Sequence, residues 1–77
     1  MRRQSEFGPA VRQIREGRGM ERRELAERAG VSVVTLARIE RREALPWGAV
    51  CKIRKGLGMT WLGLFSVVAE VEKGTAK

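Results

Sequence analysis

The 77-residue chain has no histidine and no tyrosine, and it has no aspartate or asparagine either. Those side chains supply most general acids, general bases and metal ligands. Their absence argues against an enzyme and leaves no candidate catalytic residue, cofactor or metal. The single cysteine, Cys51, excludes an internal disulfide, and one cysteine without histidine cannot build a zinc site. No apolar run reaches the roughly 18 residues that span a bilayer. The opening MRRQSEFGPA carries arginines without the apolar core of a signal peptide. The reading is a cytoplasmic protein with no membrane partner.

Acidic residues are outnumbered, with 9 Asp+Glu against 16 Lys+Arg and a net charge of +7. Twelve of the 16 cations are arginine, whose planar fork grips phosphate at two points where lysine offers one charge. An anionic polymer is the favoured partner. With 43% apolar residues the chain can fill one small core, so residues 1–77 read as a single domain with its core over about 6–65. A chain this short buries only about 60% of its unfolded surface. Lacking disulfide and metal, it depends on close helix packing or on a second subunit.

Apolar periodicity is helical throughout. Phe7, Ala10, Val11 and Ile14 fall at i, i+3, i+4 and i+7 and predict a helix from about Glu6 to Arg18, flanked by Arg12, Arg15 and Arg18. Pro9 fits its first turn, and Gly17 and Gly19 end it. A second helix, Arg22 to Ala29, turns Leu25, Ala26 and Ala29 inward and stops at Gly30. Glu24 stands where a capping box places its acid, although Glu21 is a weak N-cap. Ser32 is a good N-cap for a third helix from Val33 to Arg41, with Val31 and Leu36 as its hydrophobic staple. Only Val31 separates Gly30 from Ser32, so the two helices turn sharply. At 100° per residue, Leu36 and Ile39 define the buried side of the third helix. Val34, Ala37, Arg38 and Arg41 face out, and Val33 and Glu40 lie between.

Val50, Ile53 and Leu57 mark a fourth helix closed by Gly58. Gly48 and Gly56 weaken it, so packing must hold it. Thr60 caps a fifth helix stapled by Met59 and Leu64, reaching about residue 72, with a frayed tail from Lys73 to Lys77. Its apolar residues cover roughly 220°, about twice what one packed face needs. The side near Trp61, Leu64 and Val68 is expected to close the core. Leu62, Phe65, Val67 and Val71 remain as dimer-interface candidates, with Val67 and Val71 ranked first. Cys51, beside Val50, reads as a small buried hydrophobe, and Arg2 and Arg3 read as a disordered tail.

The segment RRELAERAGVSVVTLARIE, residues 22–40, places Ala26, Gly30, Val31, Leu36 and Ile39 where two helices can cross closely. It resembles the Cro and phage-repressor (Xre-like) helix-turn-helix family, and the resemblance runs from Phe7 through Gly19-Met20 to Gly58 and on to Leu62–Phe65. The resemblance implies an all-α fold: a compact five-helix lambda-repressor-like DNA-binding domain with the helix-turn-helix at helices 2 and 3. It also implies that the helix from Ser32 to Arg41 enters the DNA major groove. Family positions that touch base edges fall on Val33, Val34 and Arg38, with Ser32 and Thr35 near backbone or bases. Arg22 takes the place of a phosphate-contacting Gln. Arg41 and Arg42 replace residues that are often Asn or Arg and then Gly, and a left-handed turn costs Arg42 more than it would cost Gly. The valines offer only apolar contact, for example to thymine methyls, which leaves Arg38 as the bidentate reader of guanine. The positions matched by Arg15 and Glu40 form a buried ion pair tying the first helix to the third.

The expectation is a sequence-specific, double-stranded DNA-binding transcriptional regulator, a repressor acting as a homodimer. The alternative is an antitoxin-like or adaptor protein that binds a toxin-like protein partner through its C-terminal helix.

Overall fold

The computed structural model describes residues 6–44 and 46–75, so the readings of Arg2, Arg3 and Lys77 lie outside the described residues. Among the described residues there are five helices and no strand: α1 Phe7–Gly17, α2 Arg22–Ala29, α3 Val33–Glu40, α4 Trp47–Leu57 and α5 Trp61–Thr75. Their ends follow local chemistry. The Ser32 hydroxyl accepts the Thr35 amide at 3.0 Å and starts α3, and Thr60 Oγ1 accepts the Gly63 amide at 3.1 Å and starts α5. Gly30, at φ 75°, closes α2 in the left-handed region open to glycine. It and Val31 both return their amides to the Ala26 carbonyl, which makes the tight turn into α3.

Two local expectations are corrected. Glu24 does not complete a capping box; it pairs with Arg28 one turn on at 3.1 Å, because a charged partner at i+4 competes with an uncharged amide. The last helix runs to Thr75 rather than ending near residue 72. One glycine near its end, Gly74, costs the helix only about 1 kcal/mol, and Lys73 in the last turn suits the negative end of the dipole.

Val11, Leu25, Leu36, Ile39, Ile53 and Leu64 are fully buried, and Phe7, Ala10, Met20, Ala26, Val50 and Leu57 complete the core. Each such large side chain contributes about 1.5–3 kcal/mol on burial. Val31, Met59, Trp61 and Val68 pack against this core, as the staples and the inner side of α5 require. Cys51 is a free thiol, only half-buried, since it sits one position around the helix from inward Val50. α2 packs chiefly on α4, and α1 packs on α5 and α3. Two glycines permit the closest approaches: a Cβ at Gly8 would land on the Ile39 carbonyl, and one at Gly56 would lie 2.9–3.0 Å from Ala29. The radius of gyration, 11.3 Å, is close to the ~11.5 Å of a compact chain of this length.

At the N-terminal ends of α4 and α5, Trp47 stacks on Trp61 with centroids 5.3 Å apart and planes 7° apart. Phe65 lies 5.7 Å from Trp61, and the Arg54 guanidinium sits 4.9 Å over that ring, a cation–π contact. Arg54 also donates to the Met59 carbonyl at 2.9 Å. Arg18 donates to the Leu57 carbonyl at 2.8 Å, placing a cation at the negative end of α4.

Candidate nucleic-acid interface

The turn from Gly30 to Ser32 leaves α3 with its inner face, Leu36 and Ile39, locked in the core and its outer face in solvent. Val34 is 66% exposed and Val33 is also exposed. Arg38 is exposed, and its guanidinium has no hydrogen-bond or ion-pair partner among the described residues. Ser32 donates to Thr35 Oγ1 at 2.9 Å while accepting the Thr35 amide. Both hydroxyls are thereby oriented, and the Thr35 proton is left to point elsewhere. The outer face of α3 thus combines two apolar side chains with one uncommitted guanidinium.

Behind it lies the Arg15–Glu40 pair. Arg15 Nε donates to Glu40 Oε2 at 2.9 Å and Arg15 Nη2 to Oε1 at 3.2 Å. The Arg15 side chain is 8% exposed and that of Glu40 1%. A third bond, from Arg15 Nη1 to the Met20 carbonyl at 2.9 Å, ties the turn after α1 into the same cluster. The two charges are desolvated together, and their forked geometry is what makes that tolerable. α3 is therefore tied to α1 at its C-terminal end by Glu40, while Leu36 at its centre is buried in the core.

The basic residues expected around α3 occupy three environments. Arg22, at the start of α2, donates through Nε to Glu40 Oε1 at 3.2 Å, a link that the sequence reading did not contain. Arg41 pairs with Glu43 at 3.2 Å, both exposed. Arg42 adopts φ 66°, so the left-handed turn survives without glycine. It is held because Glu43 returns its amide to Arg38 at 2.8 Å, and because Arg42 Nη2 donates to Glu6 Oε1 at 3.3 Å. No sequence signal pointed to Glu6 or Arg18 as partners of distant groups, or to Arg54 as a partner of Met59 and Trp61. At the surface of α1 the Arg12 guanidinium, through its hydrogen bond, holds the Glu16 carboxyl below its ordinary pKa.

On α5, Leu62 is 79% exposed and Phe65 53%, whereas Val67 and Val71 are half-buried within the protomer. No group of three or more His, Cys, Asp or Glu among the described residues could hold a metal ion. No helix among them is long and apolar enough to cross a membrane.

A family model described as a helix-turn-helix domain matches residues 6–60. No curated protein matches the chain. Among solved structures, the wild-type restriction-modification controller protein C.Esp1396I superposes with a TM-score of 0.81 at 23% identity, covering 90% of each chain.

Proposed function

Because this chain belongs to the helix-turn-helix domain family, we propose that it is a sequence-specific, double-stranded DNA-binding transcriptional regulator, most simply a repressor that occludes a promoter. The observation that carries this reading is the outer face of α3, where uncommitted Arg38 stands beside exposed Val33 and Val34. Arg38 is assigned to guanine in the major groove and the valines to thymine methyls. Ser32, Thr35, Arg22, Arg41 and Arg42 are assigned to the DNA backbone, with the net charge of +7 supplying long-range attraction. The solved neighbour is named a controller protein, in keeping with a regulatory role.

The exposed Leu62 and Phe65 support a homodimer through α5, with Val67 and Val71 at its edge. A two-fold dimer presents two recognition helices, and these fit a near-palindrome with half-sites about 10 base pairs apart. The same apolar surface would serve a toxin-like protein partner in the antitoxin-like or adaptor reading.

Selection of bound duplexes from a random pool tests the proposal. It should return one motif, and Arg38→Ala should relax preference at a single base pair by about 1–3 kcal/mol. Equal affinity for every duplex, or a uniform loss in Arg38→Ala, would refute the base-reading role.

A further inference from the structure

Trp47 opens α4 with its side chain 66% exposed, an unfavourable place for so large an apolar ring. One face of that ring is stacked on Trp61, and the Arg54 guanidinium lies over the same Trp61 ring. Trp47 and Arg54 are two turns apart on α4, about 10.5 Å along its axis, so separations of 5.3 and 4.9 Å place Trp61 between them. The stack is closed at one end by a cation, whose Nε is buried without a hydrogen-bond partner among the described residues. At the other end it is open, on the outer face of Trp47. Phe65 joins it 5.7 Å from Trp61, and exposed Leu62 lies about 60° from Phe65 around α5. Trp47, Leu62 and Phe65 thus form one ledge across α4 and α5. It offers on the order of 400 Å², about half of the ~800 Å² that each partner gives to a standard interface. Its α5 part belongs to a run, Gly56 to Ala69, that has no charged residue in a chain that is 32% charged. Two-fold pairing brings a patch onto its own copy, where like charges would repel. An uncharged ledge on a chain of net charge +7 therefore suits a second copy of itself.

We propose that Trp47 is the central anchor of the contact between two copies of this chain: the open face of its ring docks on the partner's ledge, and the interface spans α4 and α5. This rests on the homodimer reading above and adds to it a second helix and a consequence. Tryptophans in desolvated contacts dominate interface energetics, and the stack on Trp61 orders the Trp47 ring before association, which lowers the entropy lost on docking. Trp47 also follows closely on the turn that carries Arg41 and Arg42. The second copy then sits beside two arginines assigned to the DNA backbone, and the +7 on each chain opposes association until salt or DNA phosphate screens it. An apolar contact between like-charged copies tightens as salt rises, whereas a contact held by ion pairs loosens.

Sedimentation of the full chain over a range of concentrations tests this. Trp47→Ser should raise the dimer Kd about thirtyfold, the loss of one hot-spot side chain. Trp47→Phe should restore most of the affinity, and Gln13→Ser, on the exposed surface of α1, should change nothing. The same ranking should appear in the cooperativity of binding to a palindromic duplex, and the wild-type Kd should fall as salt is raised. If Trp47→Ser dimerises as the wild type does while Leu62→Glu with Phe65→Glu does not, the proposal is overturned and the homodimer reading stands. A Kd that rises with salt overturns it too. If Trp47→Ser keeps the wild-type Kd and instead weakens binding to a single half-site, the ring faces DNA and the proposal is again overturned. A wild type that is monomeric at high micromolar concentration, both free and on DNA, removes the homodimer reading and the proposal with it. Circular dichroism checks folding; if neither Trp47 variant folds, the ring is a structural prop and the proposal is likewise overturned.

Discussion

Replacing Glu40 by alanine removes the acceptor of three arginine N–H groups at once. Two of these come from Arg15, whose side chain is 8% exposed and cannot turn to water without opening the junction of α1 and α3. It would keep its bond to the Met20 carbonyl and a longer contact, 3.7 Å, from Nη2 to the half-exposed Glu16 carboxylate. The third, from half-exposed Arg22, adds little because solvent screens it. An uncompensated buried guanidinium costs about 3–5 kcal/mol, and a 77-residue domain has roughly 4–12 kcal/mol in total. Glu40→Ala should therefore lose about a quarter of the stability or more. Urea denaturation followed by fluorescence of the Trp47–Trp61 stack reads this as a lowered midpoint at unchanged slope. The double variant Arg15→Met, Glu40→Leu separates two terms, since replacing both partners by apolar groups should cost far less than removing one. A Glu40→Ala midpoint equal to that of the wild type would refute the argument, because it would mean that Arg15 finds water in place of its partner.

Gly8→Ala should destabilise even though alanine in a helix normally gains about 0.5–1 kcal/mol over glycine. Its Cβ would meet the Ile39 carbonyl, and overpacking of this kind costs about 1–3 kcal/mol. Gly17→Ala meets nothing within 4 Å and should raise the melting temperature; both signs are read from thermal unfolding. The Glu16 carboxyl should titrate below the ordinary glutamate value of about 4.3 by NMR, and Arg12→Ala should raise it toward that value, with Arg15 and Arg22 still acting to lower it. Because its folded pKa is depressed, Glu16 supports the fold above that ordinary value and loses this support as pH falls through the folded pKa. Leu62→Glu with Phe65→Glu should yield a folded monomer by sedimentation, with binding to a palindrome weakened far more than binding to one half-site. A wild type that is monomeric both free and on DNA would sink the dimer.

The helices were legible in the sequence because their signals are local. Apolar spacing, the hydroxyls of Ser32 and Thr60, and Gly30 and Gly58 act within a turn or two of their own position. The buried Arg15–Glu40 pair was legible only through a family resemblance, which also pointed to the outer face of α3. Tertiary structure decided what lies beyond those local signals. Arg18 finds the Leu57 carbonyl 39 positions away, and Arg22 finds Glu40 18 positions away. A long side chain with several donors takes whichever acceptor packing brings within reach, and no periodicity records that choice. A helical wheel sees Gly8 only as a missing side chain, since the approach of Ile39 depends on how α1 crosses α3. The same holds for α5: its wide apolar arc could be read from the sequence, but that Val67 and Val71 are partly covered while Leu62 and Phe65 stay in solvent follows from how α5 lies on α1. Periodicity defines directions around one helix axis, and only packing against a second axis assigns one of those directions to the core.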